Sequence, residues 1–232
     1  MGIILDTHSM ISCRPKLIIT KFLLRYRRNR LRSMDRLVES GITATVLNDA
    51  AASFIATLIK EMGPRAPRLC HRDTESFDYL EDLNILFPKG KFIHMVRDGR
   101  ATVASKIARN INSNYTSENI TDAILIWDED TTQILEDCEY TGSEKCLTLR
   151  YECLVLNPLR EIQKVLKFLS LPWDEKLLNQ LIHRNSLDAW SKEDSLLSEE
   201  YIKFMNENSL ALKQLGYLTD EIPPNYATIC NN

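Results

Sequence analysis

Apolar positions along this chain change period several times, and the changes mark its elements. Phe92, Ile93, Met95 and Val96 form a short apolar run of strand length. Arg97-Asp98-Gly99-Arg100 then reads as a turn. A helix-compatible segment follows, with Val103 and Ile107 one turn apart. Cys146 to Tyr151 reads as a second strand, ending at Tyr151. Beyond it, Asn157 suits an N-cap and Pro158 the first helical position. Leu159, Ile162, Val165, Leu166 and Leu169 continue as a helical stripe, which Pro172 is expected to stop. The spacing also predicts a helix from Val46 to Met62, through Leu47, Ala50, Phe54 and Leu58, closed by Gly63-Pro64. Another runs from Ile120 to Leu135, with Ile124, Trp127, Thr131 and Ile134 on one stripe and Trp127 assigned to the core. Residues 174–220 read as helix or loop. Strands alternating with helices predict an α/β fold with a mainly parallel sheet and crossover connections. Ligands in such sheets bind at the carboxyl ends of strands, where Arg97 falls.

Composition narrows the class only a little. The chain has 232 residues, 44% hydrophobic and 26% charged, which suits one soluble domain over 1–232. A formal net charge of −3 gives no support for nucleic-acid binding. One run is basic: Arg25, Arg27, Arg28, Arg30, Arg32 and Arg36. It reads as a solvated helix face, or as a surface that attracts acidic peptides. No apolar run approaches the length of a membrane span; Leu17 to Leu24 is too short and is broken by Lys21. No close Cys/His quartet suggests a metal site.

The candidate chemistry lies at Arg97. The strand–turn–helix layout puts Arg97 at a strand end, with Ser105 and Arg109 four residues apart on one helix face. Two guanidinium groups and a hydroxyl can converge there on one anion, and arginine suits phosphate because its fork donates bidentately and stays charged. A helix start would add free N–H groups and a positive dipole end.

These residues resemble the 3′-phosphate site of sulfotransferases. The wording LFPKGKFIHMVRDGRATVASKIAR is most similar to the Golgi tyrosylprotein sulfotransferases. In that family the matching arginine, serine and second arginine hold the 3′-phosphate of the sulfate donor, 3′-phosphoadenosine 5′-phosphosulfate. Tyr151-Glu152, Leu154, Pro158, Glu161-Ile162 and Phe168-Leu169 resemble a second family block, in which the matching tyrosine contacts the nucleotide. Weaker likenesses follow in family order. Ile4-Leu5-Asp6 with His8 resembles L-D-A-H-P, and Leu69-Cys70-His71-Arg72-Asp73 resembles L-C-N-K-D. Leu215-Gly216-Tyr217 and Pro223-Pro224-Asn225-Tyr226 resemble L-G-Y and P-P-N-Y.

The departures bear on mechanism. The family's first strand and its phosphosulfate loop P-R-S-G-T-T would precede Ile4, so the chain reads as an N-terminally truncated or divergent member. After the matching cysteine the family carries G-E-E-T, with its general base; here Cys13 is followed by Arg14-Pro15-Lys16-Leu17. The family's catalytic lysine falls on Arg72, which can stabilise sulfate charge but exchanges protons poorly. The nucleotide-covering segment is shortened to Ala189-Trp190-Ser191-Lys192.

The resemblance implies disulfides Cys13–Cys70 and Cys138–Cys146, an oxidising Golgi lumen, and a membrane anchor that this chain does not show. It leaves Cys153 and Cys230 over, and an unpaired buried thiol suits Cys153. Asn114-Tyr115-Thr116 and Asn119-Ile120-Thr121 are glycosylation sequons. The reading is a protein-tyrosine sulfotransferase with acidic tyrosine-containing segments as partners, a homodimer being open, and weak or no transfer expected of the chain as written. Its alternatives are a non-catalytic nucleotide-binding paralogue or interaction subunit, and a small-molecule sulfotransferase or nucleotide kinase.

Overall fold

The structure is a computed structural model, and it describes residues 1–177 and 197–231. The Ala189–Lys192 segment lies outside them. The chain divides into two compact units.

The first unit comprises Met1–Phe92, Tyr140–Cys146 and Pro172–Asn185. A short helix α1 (Gly2–Leu5) leads into strand β1 (Ile11–Arg14). Helices α2 (Ile18–Leu31), α3 (Met34–Glu39) and α4 (Ala44–Glu61) precede strand β2 (Arg68–His71). A 3₁₀ turn at Glu75–Tyr79 and helix α5 (Leu80–Leu86) follow. β1 and β2 pair in parallel, with Cys13 opposite Cys70. That register puts the two Cα atoms 4.2 Å apart, and the cysteines are joined as a disulfide. The core gathers Leu24, Ala51, Ile55, Leu83 and Leu86.

Two expectations shift here. On α4, Val46 and Phe54 are exposed and Ala51 and Ile55 face inward. The face that packs against Leu24 lies about one position from the expected stripe, because apolar residues lie on both sides of this helix. The basic run is not one solvated face either. Arg27 is 1% exposed and bonds Asp82 and Asn48. Arg28 also donates to Asp82 at 2.7 Å, with its guanidinium 4.4 Å from the centre of the Tyr79 ring. One buried carboxylate on α5 thus holds two arginines, burying Arg27 and leaving Arg28 partly exposed.

The second unit comprises Ile93–Glu139, Leu147–Leu171 and Ser186–Asn232. β3 (Phe92–Val96) leads through a turn into α6 (Gly99–Ala108), and α7 (Ile120–Thr141) follows. β4 (Cys146–Arg150) pairs with β3. The Phe92 N–H donates to Lys145 O at the start of both strands, so they run the same way. Next come α8 (Tyr151–Leu156), α9 (Pro158–Leu169), α10 (Glu199–Asn208), α11 (Leu210–Gln214) and α12 (Tyr226–Asn231). The core combines Val103, Ile124, Trp127, Met205, Leu212 and Tyr217, with Trp127 inside it as its stripe implies. Gly99 is required by that packing, since a Cβ there would collide with Trp127 and Met205.

α9 begins at Pro158, and Asn157 caps it by position without a side-chain bond. It ends earlier than expected. Ser170 takes the left-handed conformation at φ 54° and closes the helix before Pro172 is reached. A third disulfide joins Cys153 on α8 to Cys230 on α12, Cα–Cα 5.3 Å, so Cys153 is not an unpaired thiol. Cys138 and Cys146 are oxidised as well, and no free cysteine remains. The parallel pairing is thus present as two two-stranded sheets among the described residues. No described helix is long and apolar enough to cross a membrane.

Candidate functional site

The end of β3 is built around charge. Arg97 leaves the strand half-buried, with its guanidinium 4.8 Å from the centre of the Tyr151 ring. Tyr151 is the first residue of α8, directly after β4. Two neighbouring parallel strands therefore deliver the cation and the ring to one place. Stacking fixes the guanidinium plane while leaving its edge free to donate. Its Nε is buried and meets no acceptor among the described residues. The Arg97 side chain makes no hydrogen bond or ion pair with any described residue. A buried donor without an acceptor costs free energy unless a ligand satisfies it. Arg150 also has a buried Nε without an acceptor, but its guanidinium is anchored on Leu215 O at 2.9 Å.

Ser105 sits half-buried in the last turn of α6, and Arg109 is the exposed residue that caps it. They remain one turn apart, joined by the Arg109 N–H donating to Ser105 O at 3.3 Å. Among the described residues, no hydrogen bond joins either side chain to Arg97. The start of α6 is also less open than expected. Asp98 caps it, and its carboxylate accepts the Arg100 N–H at 3.0 Å.

Behind Arg97 lies a network that sequence reasoning did not assemble. Arg100, 0% exposed, grips Asp98 with two bonds, Nε to Oδ1 at 2.9 Å and a terminal nitrogen to Oδ2 at 2.6 Å. It also donates to Asn206 Oδ1 and Tyr217 O. The Asp98 backbone N–H donates to Glu152 Oε1 at 2.9 Å. Tyr217 O–H donates to Glu152 Oε2 at 2.7 Å, and Tyr226 O–H donates to Asp98 Oδ2 at 2.9 Å. Burial pushes the Glu152 carboxyl up, and its two donors partly offset that. Burial likewise pushes the Tyr217 and Tyr226 phenols far up, so both remain donors. The signal was present in the sequence. These are the polar members of the R-D-G-R, Y-E, L-G-Y and P-P-N-Y motifs, whose residues meet only in three dimensions.

Arg72 belongs to the first unit, just past β2. It is exposed, and its Nε donates to Arg14 O at 3.3 Å. Lys16, which stands where the family carries a carboxylate, is paired with Glu75. Asn114 and Asn119 are both exposed, and Asn119 bonds Asp122 through its side chain at the start of α7. Among the described residues no carboxylate, histidine or cysteine cluster could hold a metal ion.

A strand-end arginine thus lies over a helix-start tyrosine on an α/β scaffold, next to a buried acid–arginine frame. Comparison with known proteins agrees in fold and in sequence. The sequence profile described as "Sulfotransferase family" matches residues 1–175. The chain is 31% identical to Protein-tyrosine sulfotransferase A of Caenorhabditis elegans, over 97% of this chain and 66% of that protein. It is 31% identical to Protein-tyrosine sulfotransferase 1 of Homo sapiens, over 97% and 68%. The "Sulfotransferase Domain from the Curacin Biosynthetic Pathway" superimposes with a TM-score of 0.61 at 18% identity, covering 93% of this chain and 92% of that one. The chain belongs to the sulfotransferase family, and within it to the protein-tyrosine sulfotransferases. It spans about two thirds of the nematode protein and half of the Drosophila melanogaster one, of which it covers 50%.

Proposed function

We propose that this chain carries the nucleotide-binding part of a protein-tyrosine sulfotransferase and acts as one sulfotransferase-like domain. The family match runs through residues of both units, which supports the single domain. The donor is 3′-phosphoadenosine 5′-phosphosulfate, with tyrosines in acidic segments of secretory-pathway proteins as acceptors and the Golgi lumen as location. Three disulfides suit such an oxidising compartment.

One observation carries the reading: the buried Arg97 Nε has no acceptor and lies beside the Tyr151 ring. A phosphate oxygen would satisfy it, and Ser105 and Arg109 on α6 supply further donors to the same group. When bound, the donor supplies the activated sulfuryl group. Arg97 and Tyr151 hold and orient its 3′-phosphate end. The family's catalytic lysine falls on Arg72, whose guanidinium stays charged and would suit negative charge on a sulfate. A phenol needs a base, and the residues after Cys13 offer Arg14, Pro15 and Lys16. Transfer by this chain is therefore slow, while nucleotide binding persists.

Titration calorimetry with adenosine 3′,5′-bisphosphate tests the binding. Loss of a charge-assisted contact of about 1.5–3 kcal/mol should weaken Arg97→Ala by tenfold or more. Unchanged affinity would overturn the assignment. An acidic tyrosine peptide incubated with labelled donor tests the chemistry; turnover matching the human relative would show that another carboxylate serves as base.

A further inference from the structure

A second charged site lies in the first unit, and the 3′-phosphate reading does not use it. Arg14 ends β1 and is 2% exposed. Its guanidinium donates to Ile59 O at 2.7 Å, Ser12 Oγ at 2.5 Å and Pro64 O at 2.7 Å. All three acceptors are neutral, and no carboxylate reaches ion-pair distance of it among the described residues. Three bonds also use only three of the five N–H donors of a guanidinium. Burying an unpaired charge costs far more than burying a paired one. Gly63 makes the space: a Cβ there would lie 3.0 Å from the guanidinium.

This arginine lines a cavity of about 440 Å³. Arg65 and Lys176 line it too, both exposed and without carboxylate partners among the described residues. Its one carboxylate, Asp6, accepts the Cys13 N–H at 2.6 Å. Asp174 stands nearby, and its carboxyl is held at about 2, first by its hydrogen bonds from Ser9. The cavity histidine is occupied as well, since His8 Nδ1 accepts from Met10 N–H and Nε2 bonds Pro172 O. Positive charge is therefore in excess, and part of it is buried where water screens it least.

We propose that this cavity binds a small oxyanion, a sulfate, phosphate or carboxylate group, against Arg14 with Arg65 and Lys176 closing on it. The ligand supplies the counter-charge that the protein omits. Its source is either a free ion or an acidic side chain of a bound peptide.

Equilibrium dialysis with labelled sulfate at constant ionic strength tests this. The full chain carries Arg97→Ala, so that the nucleotide site contributes nothing. The expected result is saturable binding that R65Q/K176Q, both surface changes, weakens by about tenfold or more. Arg14→Met should abolish binding, and the surface pair decides the matter if that variant fails to fold. Competition by an acidic tyrosine peptide, and not by its Asn/Gln counterpart, assigns the occupant to a peptide carboxylate. No competition by either peptide assigns it to a free ion. Equal sulfate binding by the parent and R65Q/K176Q, or none by the parent, would overturn the proposal.

Discussion

Arg100 and Arg14 are buried alike, at 0% and 2% exposure, but they are treated oppositely. In the second unit Arg100 meets the Asp98 carboxylate through two bonds, and Asp98 is in turn held by Tyr226. In the first unit Arg14 meets a hydroxyl and two carbonyls. Burial alone therefore does not say what a cation is for. A guanidinium closed by a carboxylate is scaffold, because its charge is already answered. One left among neutral oxygens keeps its charge for something else. Arg97 is a milder case of the second kind, stacked on Tyr151 with an unanswered Nε.

The largest expected effect sharpens that contrast. Asp98→Ala strands Arg100 as a buried charge and should cost about 3–5 kcal/mol of stability by denaturant unfolding. In the first unit, Ser12→Ala removes one of three neutral acceptors from Arg14 and should cost less, about 1.5–3 kcal/mol. Equal losses would mean that the two arginines are held in the same way.

Next in size is the third disulfide. Cys153–Cys230 ties α8, which begins at Tyr151, to α12, which carries Tyr226. Its ends are 77 residues apart. Cys153→Ser with Cys230→Ser should lower stability by about 2–4 kcal/mol. It should also weaken adenosine 3′,5′-bisphosphate binding, because both tethered helices contact the frame around Arg97. A stability loss with unchanged nucleotide affinity would separate the staple from the site.

Local signals were legible in the sequence and long-range ones were not. β3 and the α9 start at Pro158 follow from adjacent residues and stand where the pattern places them, while Gly99 and Arg100 of the expected turn already belong to α6. The family likeness supplied the Cys13–Cys70 pair. By contrast, the Asp82 carboxylate that buries Arg27 and pairs Arg28 lies 55 and 54 residues away. The bond from Tyr226 to Asp98 spans 128 residues. No periodicity encodes such pairings. The Ser170 helix stop was missed because the left-handed conformation is taken here by a serine, not by the glycine or asparagine that signals it.

A third treatment of buried charge is to suppress it. His94 on β3 is 8% exposed, and burial lowers its pKa from 6.5 to about 4. The folded state thus favours the neutral ring, while the unfolded chain takes up a proton near its ordinary value. This contribution is fully present above pH 6.5 and is lost as pH falls towards about 4. Between pH 7.5 and 5 the loss should be about 2 kcal/mol. His94→Gln should show a correspondingly flatter stability profile over that range. Parallel profiles would mean that His94 is as readily protonated in the folded protein as in the unfolded one.

The smallest effect probes the frame itself. Tyr226→Phe keeps the ring, which packs edge-on against Tyr217 with centroids 6.2 Å apart. It removes one donor from Asp98 Oδ2, which still receives Arg100 at 2.6 Å. The acceptor is therefore not orphaned, and the cost should be about 0.5–1.5 kcal/mol. The carboxylate carries the charge balance and the phenol only trims it, so Tyr226→Phe should remain a small fraction of Asp98→Ala in the same unfolding assay. Comparable losses from the two would mean that the hydroxyl, rather than the arginine, holds Asp98 in place, and that the second unit answers its buried charge through the terminal helix.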